Sequence, residues 1–408
     1  MDAKALTYIA NGRLFRKDPK AASDSQEITS KFAEDLKERM LQIKRQHEWK
    51  TQGRGGQFMG GGGMLWGAQN GNPSNLQANI SSITAGASST ELFYTLQADD
   101  VAGIFKFDTA SGEETRLSHS TEHIVHSAHY SPEAAKLVCS ISGDGGLQNL
   151  ALYDPNRGGF RELTEGDSLD SSPRWVPGES EKIVYQSSGI GRNRDGIWVD
   201  TAAATIEQLD LSTGEIVTLA EVPGSDLLAP QLSTTGDLYC IRRPHTPLQQ
   251  RSLGRTLLEI LLVPFHLLGA VFGFLNVFST MFSGKPLMTS GGPEQEGPDP
   301  KQLFLYGKLV DAEQARIAAS KKGETLPSIV PRSWELVRFT GNFEKPEVIA
   351  KGIIAFNIDE TGSIHYSNGS AIFEIDSRGK SKVVSKITDV EYLIRHSIPT
   401  NAPSSKDV

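Results

Sequence analysis

Apolar and polar residues alternate with a period of two through most of the chain, which predicts many short β-strands. Segments such as "KLVCSIS" (136–142) and "KIVYQSS" (182–188) show the alternation, and turns rich in glycine, aspartate and asparagine flank them. This combination is typical of β-meanders, in which consecutive antiparallel strands are joined by tight turns. The pattern therefore predicts an all-β fold.

A strand pattern recurs about every 45 residues, which is the length of a four-stranded propeller blade. The clearest copies are 126–164 and 171–200, each with an apolar strand, a proline turn, a lysine-led strand and a Gly/Asp hairpin. First strands of such units end near residues 87, 131, 177, 235, 361 and 397. Second strands lie at 5–12, 91–97, 136–142, 182–188, 237–243 and 363–369. The repeat predicts a six-bladed β-propeller over 1–408 with two helical or irregular insertions.

The phase of the repeat predicts how the ring closes. The chain begins with a second strand and ends with a first strand. If the strand at 388–397 pairs beside residues 5–16, one blade contains both ends and no sheet edge is left open. A β-sandwich, or two stacked sheets, is the alternative fold.

The repeat resembles that of a known family. "YSPEAAKLVCSISGDGGLQNLALYDPNRGGFRELT" is similar to the PD40 (WD40-like) repeat of TolB-type six-bladed propellers, which are bacterial proteins. The resemblance covers 85–240 and is fainter over 301–395. It implies a propeller fold without fixing a function, since one fold serves many activities. The matching residues are Tyr130, Ser131, Pro132, Leu152, Tyr153, Asp154, Leu163, Thr164, Pro173, Trp175, Pro177, Ile197 and Trp198.

The first insertion, 18–80, combines a helical pattern with a glycine-rich segment. Apolar residues at helical spacing, with serine and aspartate as N-cap candidates, predict a helix that packs on the propeller or binds a partner. The glycine-rich segment lacks the Gly-Lys-Ser/Thr of a phosphate-binding loop and predicts a linker. The apolar positions of the helix are Ile28, Phe32, Leu36, Met40 and Ile43.

The second insertion, 244–300, contains the apolar stretch 257–282. Mean hydropathy over 260–278 is about 2, in the range of membrane spans. A single crossing would place two strands of one blade on opposite sides of the membrane, so the segment is expected to return to its starting side. Pro264 divides it into two helical pieces, because proline lacks a backbone donor. The expected structure is a re-entrant or in-plane helix pair in one leaflet.

Two sets of residues carry this membrane prediction. A basic flank would meet anionic lipid at the cytoplasmic face. Burial in a protein partner or oligomer, or against the propeller, is the alternative. The predicted membrane-inserting residues are Leu257, Leu258, Leu261, Leu262, Phe265, Leu268, Phe272, Phe274, Leu275, Phe278 and Phe282. The predicted basic flank is Arg242, Arg243, Arg251, Arg255 and Lys285.

The composition limits the expected cellular location of the protein and the expected class of its binding partners. The formal net charge is -8, which argues against nucleic acid as a partner. Only two cysteines occur, Cys139 and Cys240, and they are expected to be buried in a reducing compartment. No secretory signal is visible at the start of the sequence. We expect a cytoplasmic protein, peripheral or monotopic on the inner membrane.

Histidines provide the candidate chemistry. His123, His129 and His396 are candidate metal ligands, and alignment of the blade ends places His129, Arg174 and His396 near the channel as a candidate ligand site. Nucleophile and zinc-protease motifs do not occur, and no cofactor is expected.

These observations predict a non-enzymatic scaffold for unknown protein partners, attached to the membrane. One alternative is a propeller hydrolase or lyase with a histidine-lined metal site. The other is a subunit of a larger complex whose partner buries the apolar insertion.

Overall fold

The computed structural model describes residues 4–18, 25–36, 38–39, 42, 78–98, 101–142, 146–247, 302–306, 308–376 and 379–397. Short helices occur at 31–36 and Ala312–Ser320. The strands are β1 (Lys4–Ala10), β2 (Arg13–Lys17), β3 (Gln26–Ile28), β4 (Asn79–Ala85), β5 (Glu91–Ala98), β6 (Val101–Asp108), β7 (Glu114–Ser120), β8 (Ile124–Ser131), β9 (Lys136–Ser142), β10 (Gln148–Tyr153), β11 (Phe160–Glu162), β12 (Ser168–Trp175), β13 (Lys182–Arg192), β14 (Trp198–Thr201), β15 (Thr205–Asp210), β16 (Ile216–Ala220), β17 (Ser225–Leu232), β18 (Leu238–Pro244), β19 (Gln302–Leu305), β20 (Lys308–Asp311), β21 (Glu335–Phe339), β22 (Glu347–Lys351), β23 (Ala355–Ile358), β24 (Ile364–Ser367), β25 (Ile372–Ile375), β26 (Ser381–Ser385) and β27 (Val390–Ser397).

The strands form antiparallel four-strand meanders, numbered here by their order along the chain. The first meander is β27-β1-β2-β3, and the second is β4 to β7. The third, β8 to β11, and the fourth, β12-β13-β15-β16, are joined by one parallel pair, Gln148 with Leu169. The fifth is β17-β18-β21-β22 and the sixth is β23 to β26. The predicted first and second strands are confirmed in all of them.

The first meander contains strands from both ends of the described chain. β27 pairs antiparallel with β1, with Ala5 opposite His396 and Ile9 opposite Tyr392. The first strands of the meanders neighbour one another in the order β27, β4, β8, β12 and β17, and β23 neighbours β27. This pairing confirms the predicted pairing of the terminal strand.

Polar side chains join the first strands of neighbouring meanders. The Ser82 hydroxyl accepts from the backbone N–H of Ala128 at 3.0 Å. The Gln231 amide donates to the carbonyl of Phe356 at 2.9 Å and accepts from the N–H of Ile358 at 3.0 Å, which joins β17 to β23. Buried backbone groups that no strand ladder reaches are satisfied in this way.

The hydrophobic core lies between the faces of adjacent meanders. Phe93 of β5 and Tyr130 of β8 are both buried, with ring centroids 4.9 Å apart. The same apolar cluster includes Ile104, Leu137 and Cys139. The packing of apolar sheet faces explains why the second strands read as β-branched and aromatic runs.

The first insertion begins later than the sequence pattern predicts. Ile28 ends β3, the outer strand of the first meander, so its assignment to the helix is wrong. An apolar residue at position 28 fits the period of a strand as well as that of a helix, so the sequence pattern does not distinguish the two. The helix at 31–36 follows, and the Ser30 hydroxyl accepts from the N–H of Ala33 at 3.1 Å as an N-cap.

Aromatic packing holds this helix against the second meander. The Phe32 ring lies 4.8 Å from the ring of Phe105 between centroids. The hydroxyl of Ser30 donates to the Glu114 carboxylate at 2.7 Å. Met40 and Ile43 lie outside the described residues.

An excursion of the chain separates β18 from β21 in the fifth meander. Within it, β19 and β20 form a separate hairpin, and the helix Ala312–Ser320 follows, capped by Asp311. The predicted end of the second insertion at residue 300 is wrong, because the chain rejoins the meander only at Glu335. In this segment β19 and β20 pair with each other, so their apolar alternation does not require a place in the blade. No described helix has the length and apolar character that a bilayer crossing needs.

Candidate functional site

A β-bulge interrupts the first strand in five of the meanders. In β4, Ile80 pairs with Leu96 and Ser82 with Thr95, so Ser81 has no partner residue. The same irregularity occurs in β8, β12, β17 and β27. The bulged residues are Ser81, His126, Ser172 with Pro173, Ala229 with Pro230, and Glu391.

The bulges surround one central cavity. Ser81, His126, Ser172, Ala229 and Glu391 all line a cavity of about 1550 Å³. A bulge redirects a side chain out of the regular alternation of a strand, and bulges are frequent beside active and binding sites. Leu169, Leu228, Leu305 and Ile354 contribute apolar side chains to the same wall. Neutral amides and hydroxyls are contributed by Asn79, Gln97, Ser127, Gln148, Ser171, Gln186, Ser188 and Thr201. The centre of the ring is therefore a site of mixed polarity assembled from many strands.

Two elaborated loops form part of the cavity wall. The hairpin of β13 and β14 contributes Trp198, and its neighbour Ile197 is 60% exposed. The excursion of the fifth meander contributes His245 where the chain leaves β18, and Leu305 and Tyr306 where it returns. Both of these additions to the ring thus lie at the same cavity.

Arg174 and Tyr392 meet inside the cavity. The Arg174 Nη2 donates to the Tyr392 hydroxyl at 2.7 Å, and the guanidinium carbon lies 5.4 Å from the centroid of the tyrosine ring. Arg174 belongs to the fourth meander and Tyr392 to the first. The contact therefore joins two meanders that are not neighbours, across the centre of the ring.

A buried charge cluster lies where the excursion starts. Asp226 accepts from Arg243 Nε at 2.9 Å, and its second oxygen lies 2.6 Å from His245 Nδ1. Asp226 and Arg243 are both buried. The guanidinium of Arg243 also donates to the carbonyl of Tyr306 at 2.9 Å and lies 5.0 Å from the Trp334 ring centroid. Each charge in the cluster therefore has a partner of complementary charge or polarity, as burial requires.

The predicted basic flank is only partly within the described chain. Arg243 is bound to Asp226, and Arg242 forms an ion pair with Glu335. Both guanidinium groups are thus engaged within the protein. Arg251, Arg255 and Lys285 lie outside the described residues, as do all of the predicted membrane-inserting positions.

His129 is a half-buried hydrogen-bond acceptor rather than a lining residue. Its Nδ1 accepts from the backbone N–H of Trp175 at 3.1 Å, and the Trp175 indole donates to the His129 carbonyl at 3.1 Å. Burial, together with the neighbouring charge of Arg174, lowers the pKa of His129 well below its usual value. The neutral ring joins β8 to β12, and its place is structural.

The other two candidate histidines lie elsewhere. The His123 ring packs edge-on against Phe160, with centroids 5.4 Å apart. His396 lies in β27 opposite Ala5, and its side chain is outside the described part of the chain. Within the described ranges, no three potential metal ligands lie together.

His126 and Glu391 are the titratable residues among the five sets of bulged residues, and neither is a predicted site residue. Burial lowers the pKa of His126, whose Nε2 lies 2.8 Å from the Ser142 hydroxyl. Burial and the charge of Asp389 raise the pKa of Glu391. The two shifts favour the neutral form of both side chains. Only the pairing register shows that they face the cavity, so sequence alternation alone gave no signal.

The ring of meanders around a central cavity defines the molecule as a β-propeller. Its fold is similar to that of TolB from Acinetobacter baumannii, with 10% identity, a TM-score of 0.50, and coverage of 97% of this chain and 66% of that one. A chain of a nidogen/laminin complex matches at 8% identity and a TM-score of 0.50, covering 96% and 98%. An oligogalacturonate lyase from Vibrio parahaemolyticus matches at 10% identity, with coverage of 98% and 75% and a TM-score of 0.39.

These similarities concern the fold, which is that of TolB-like propellers. No protein-family model matches the sequence, and no curated protein matches it. Activity and partners have to be argued from the residues of this chain.

Proposed function

We propose that this protein is a six-bladed propeller that binds partner proteins at the cytoplasmic face of a membrane. The apolar stretch 257–282 attaches it there as a re-entrant or in-plane insertion. The function is that of a scaffold, in which a preformed surface is held at the lipid by one loop of the fifth blade.

The observation that carries this proposal is the contact between Arg243 and Tyr306. Arg243 precedes Pro244, the last residue of β18, and Tyr306 lies just after β19 on the returning chain. Their hydrogen bond of 2.9 Å places the departure and the return of the excursion side by side. A segment whose ends are held together this closely has to return to the side from which it left.

The chemistry of the excursion supports lipid as its environment. Residues 257–282 carry one acidic side chain, Glu259, one histidine, His266, and no lysine or arginine. A helical hairpin satisfies its own backbone hydrogen bonds, so it is compatible with one leaflet without crossing it. Arg251, Arg255 and Lys285 flank the stretch and favour anionic headgroups.

The hairpin of β13 and β14 supports a protein-binding role. Ile197 is 60% exposed and Trp198 is 37% exposed. Exposed apolar and aromatic side chains that adjoin one another are enriched in interfaces between proteins. The hairpin also contributes to the cavity wall, so a partner bound there would cover the mouth of the central cavity.

Replacement of 250–290 by a glycine–serine linker of equal length tests the attachment. We expect the wild-type protein to float with vesicles that contain anionic lipid and the linker variant to stay in solution. Both should keep the β-type circular dichroism signal of the meanders, which do not include these residues, and the variant should lose only the helical contribution of the replaced segment. Flotation of the linker variant at the wild-type level would exclude the segment as the anchor.

The same experiment separates lipid from a burying partner. Purified wild-type protein that ignores vesicles, yet co-purifies without detergent at a fixed ratio with a second protein, would identify a complex subunit instead. In that case the linker variant should lose the second protein.

A catalytic role in the cavity is the second candidate, and His126 with Glu391 favours it. Titratable groups with displaced pKa values in one cavity are a frequent property of active sites. A metal-dependent hydrolase or lyase requires a bound metal. Elemental analysis of the purified protein, compared with the His126→Asn and Glu391→Gln variants, tests this, and metal content unchanged by both substitutions would count against it.

A further inference from the structure

We propose that the central cavity binds an anionic ligand, and that Arg174 and Tyr392 hold its carboxylate or phosphate group. The inference concerns the cavity and is independent of the membrane attachment. It rests on the charge at Arg174, on the donors that the pair presents, on the rigidity of the pair, and on the lining of the cavity.

The first argument is the charge of Arg174. The two arginines that line the cavity are Arg174 and Arg243. Asp226 neutralises Arg243 at 2.9 Å. Among the described residues, the hydrogen-bond partner of the Arg174 guanidinium is a neutral hydroxyl, that of Tyr392. A half-buried guanidinium without a carboxylate partner favours an anion, because desolvating the charge costs free energy that an opposite charge offsets.

The second argument is the direction of the hydrogen bonds. Arg174 uses Nη2 to donate to the Tyr392 oxygen. The tyrosine oxygen is therefore an acceptor in this contact, and its own hydrogen remains available to another acceptor. The guanidinium has further N–H groups in its planar fork, which match the two oxygens of a carboxylate or phosphate. Arg174 and Tyr392 therefore both have hydrogen-bond donors left for an anionic oxygen.

The third argument is the rigidity of the pair. The guanidinium is stacked on the tyrosine ring, with 5.4 Å between its carbon and the ring centroid. Pro173 and Trp175 beside it are buried, and Trp175 is bound to His129 through two hydrogen bonds. Arg174 is therefore held in place before a ligand arrives, which lowers the entropy lost on binding.

The fourth argument is the remainder of the cavity. Its volume of about 1550 Å³ is larger than the usual few hundred to 1,000 Å³ of small-molecule sites. The hydroxyl and amide side chains that line the cavity offer hydrogen bonds to neutral polar groups, and Trp198 and Leu228 offer apolar contacts. These features suit a ligand with one anionic group and a longer, uncharged body that has both polar and apolar parts.

Two acidic side chains also line the cavity. Asp226 is neutralised by Arg243. Glu391 is exposed, so solvent and salt screen its charge, and its pKa is raised by desolvation and by Asp389. Arg174 is thus the lining arginine that has no carboxylate partner among the described residues.

The test is calorimetric titration of the full-length protein in a nonionic detergent, with inorganic phosphate and with succinate as separate probes at constant ionic strength. The variants are Arg174→Gln, Arg174→Lys and Tyr392→Phe. Arg157→Gln is the matched control, since it removes an exposed arginine in the turn between β10 and β11, beyond the end of β10 that is distant from the cavity. Circular dichroism verifies the fold of each variant.

We expect wild type and Arg157→Gln to bind at least one probe with equal affinity. Arg174→Gln should weaken binding about tenfold or more, since hydrogen bonds to charged groups are the strong ones. Arg174→Lys should be intermediate, because it keeps the charge and loses the fork, and Tyr392→Phe should weaken binding by a smaller factor. The preferred probe distinguishes carboxylate from phosphate. Absence of binding to both probes, or wild-type affinity in folded Arg174→Gln, would overturn the proposal.

Discussion

The guanidinium of Arg243 donates to the backbone carbonyl of Tyr306 at 2.9 Å, from the end of one strand to the turn that follows another. The same guanidinium is held by Asp226 and packs over Trp334. The excursion of the fifth blade is therefore tied to the ring through one buried ion pair. Removal of this ion pair should affect both the stability of the fold and the position of the excursion.

Asp226→Asn should destabilise the protein strongly. The change leaves the buried charge of Arg243 without its carboxylate, and breaking one side of a buried pair costs about 3–5 kcal/mol. Urea denaturation monitored by tryptophan fluorescence measures the loss. Glu347→Gln is the control, because Glu347 pairs with Arg338 at an exposed position where a pair contributes about 0–1 kcal/mol. Equal losses in the two variants would contradict the special place of Asp226.

Gly369→Ala should be destabilising for two separate reasons. Gly369 has a φ of +82°, a conformation that strains a residue with a side chain. A methyl group there would also clash with the side chains of Ile329 and Ile354, which pack between the excursion and the sixth meander. We expect a loss of about 2–5 kcal/mol from strain and overpacking combined.

Gly362→Ala is the matched control for the clash. Gly362 has a φ of +77°, and a methyl group would meet no atom within 4 Å. This variant should show only the strain of about 1–3 kcal/mol. Melting temperatures by scanning fluorimetry compare the two variants. If Gly369→Ala melts no lower than Gly362→Ala, the close packing of Ile329 against the turn is not supported.

His129 should make the fold sensitive to acid. Its pKa is lowered in the folded state, so the unfolded chain takes up a proton below about pH 6.5 while the folded chain does not. Stability from this residue is therefore complete above about pH 6.5 and is lost as the pH falls towards the lowered folded value. His129→Gln should reduce the slope of stability against pH in this window by up to about 1.4 kcal/mol per unit.

Urea titrations at several pH values measure this slope. Above about pH 7 the wild type and His129→Gln should have parallel profiles, because neither binds a proton at residue 129 there. A steep loss below about pH 6.5 that is identical in both proteins would contradict the neutral, accepting role of His129. His126 has a lowered pKa as well, so some acid sensitivity should remain in the variant.

Cys139 and Cys240 should be unreactive in the native protein. Both thiols are fully buried in second strands, and burial raises the pKa of each. The thiolate is the reactive form, so a raised pKa and burial both slow modification. Ellman's reagent should detect no thiol in the native protein and two in guanidinium chloride. Rapid reaction of either cysteine under native conditions would contradict its place in the core.

Strand positions could be predicted from the sequence because they follow from local alternation. "KLVCSIS" is β9 within the predicted bounds, and the apolar run near 390 became β27 beside β1. Burial of the two cysteines followed from the same reasoning. The excursion was harder, because "LFLYGKLV" reads as a strand pair whether it joins a blade or forms its own hairpin.

The candidate site depended on features that alternation does not contain. A bulge shifts one residue out of register, and only the pairing shows that His126 and Glu391 were shifted towards the centre. The same local shift explains why His129, two positions beyond the paired residue Ser127, contacts Trp175 of β12 instead of lining the cavity. Arg174 was selected from the alignment of blades, and the structure places it in the cavity, but its contact with Tyr392 joins distant parts of the chain.

The pairing of β27 with β1 has a consequence for synthesis on the ribosome. β1 emerges before the other described strands, and its edge towards β27 stays open until nearly all of the described chain has been translated. During that interval the nascent chain exposes backbone donors and acceptors that can pair with another chain. The pairing of β27 with β1 is thus a late event. Chaperones that bind open strand edges are expected to act on this molecule mainly before these two strands pair.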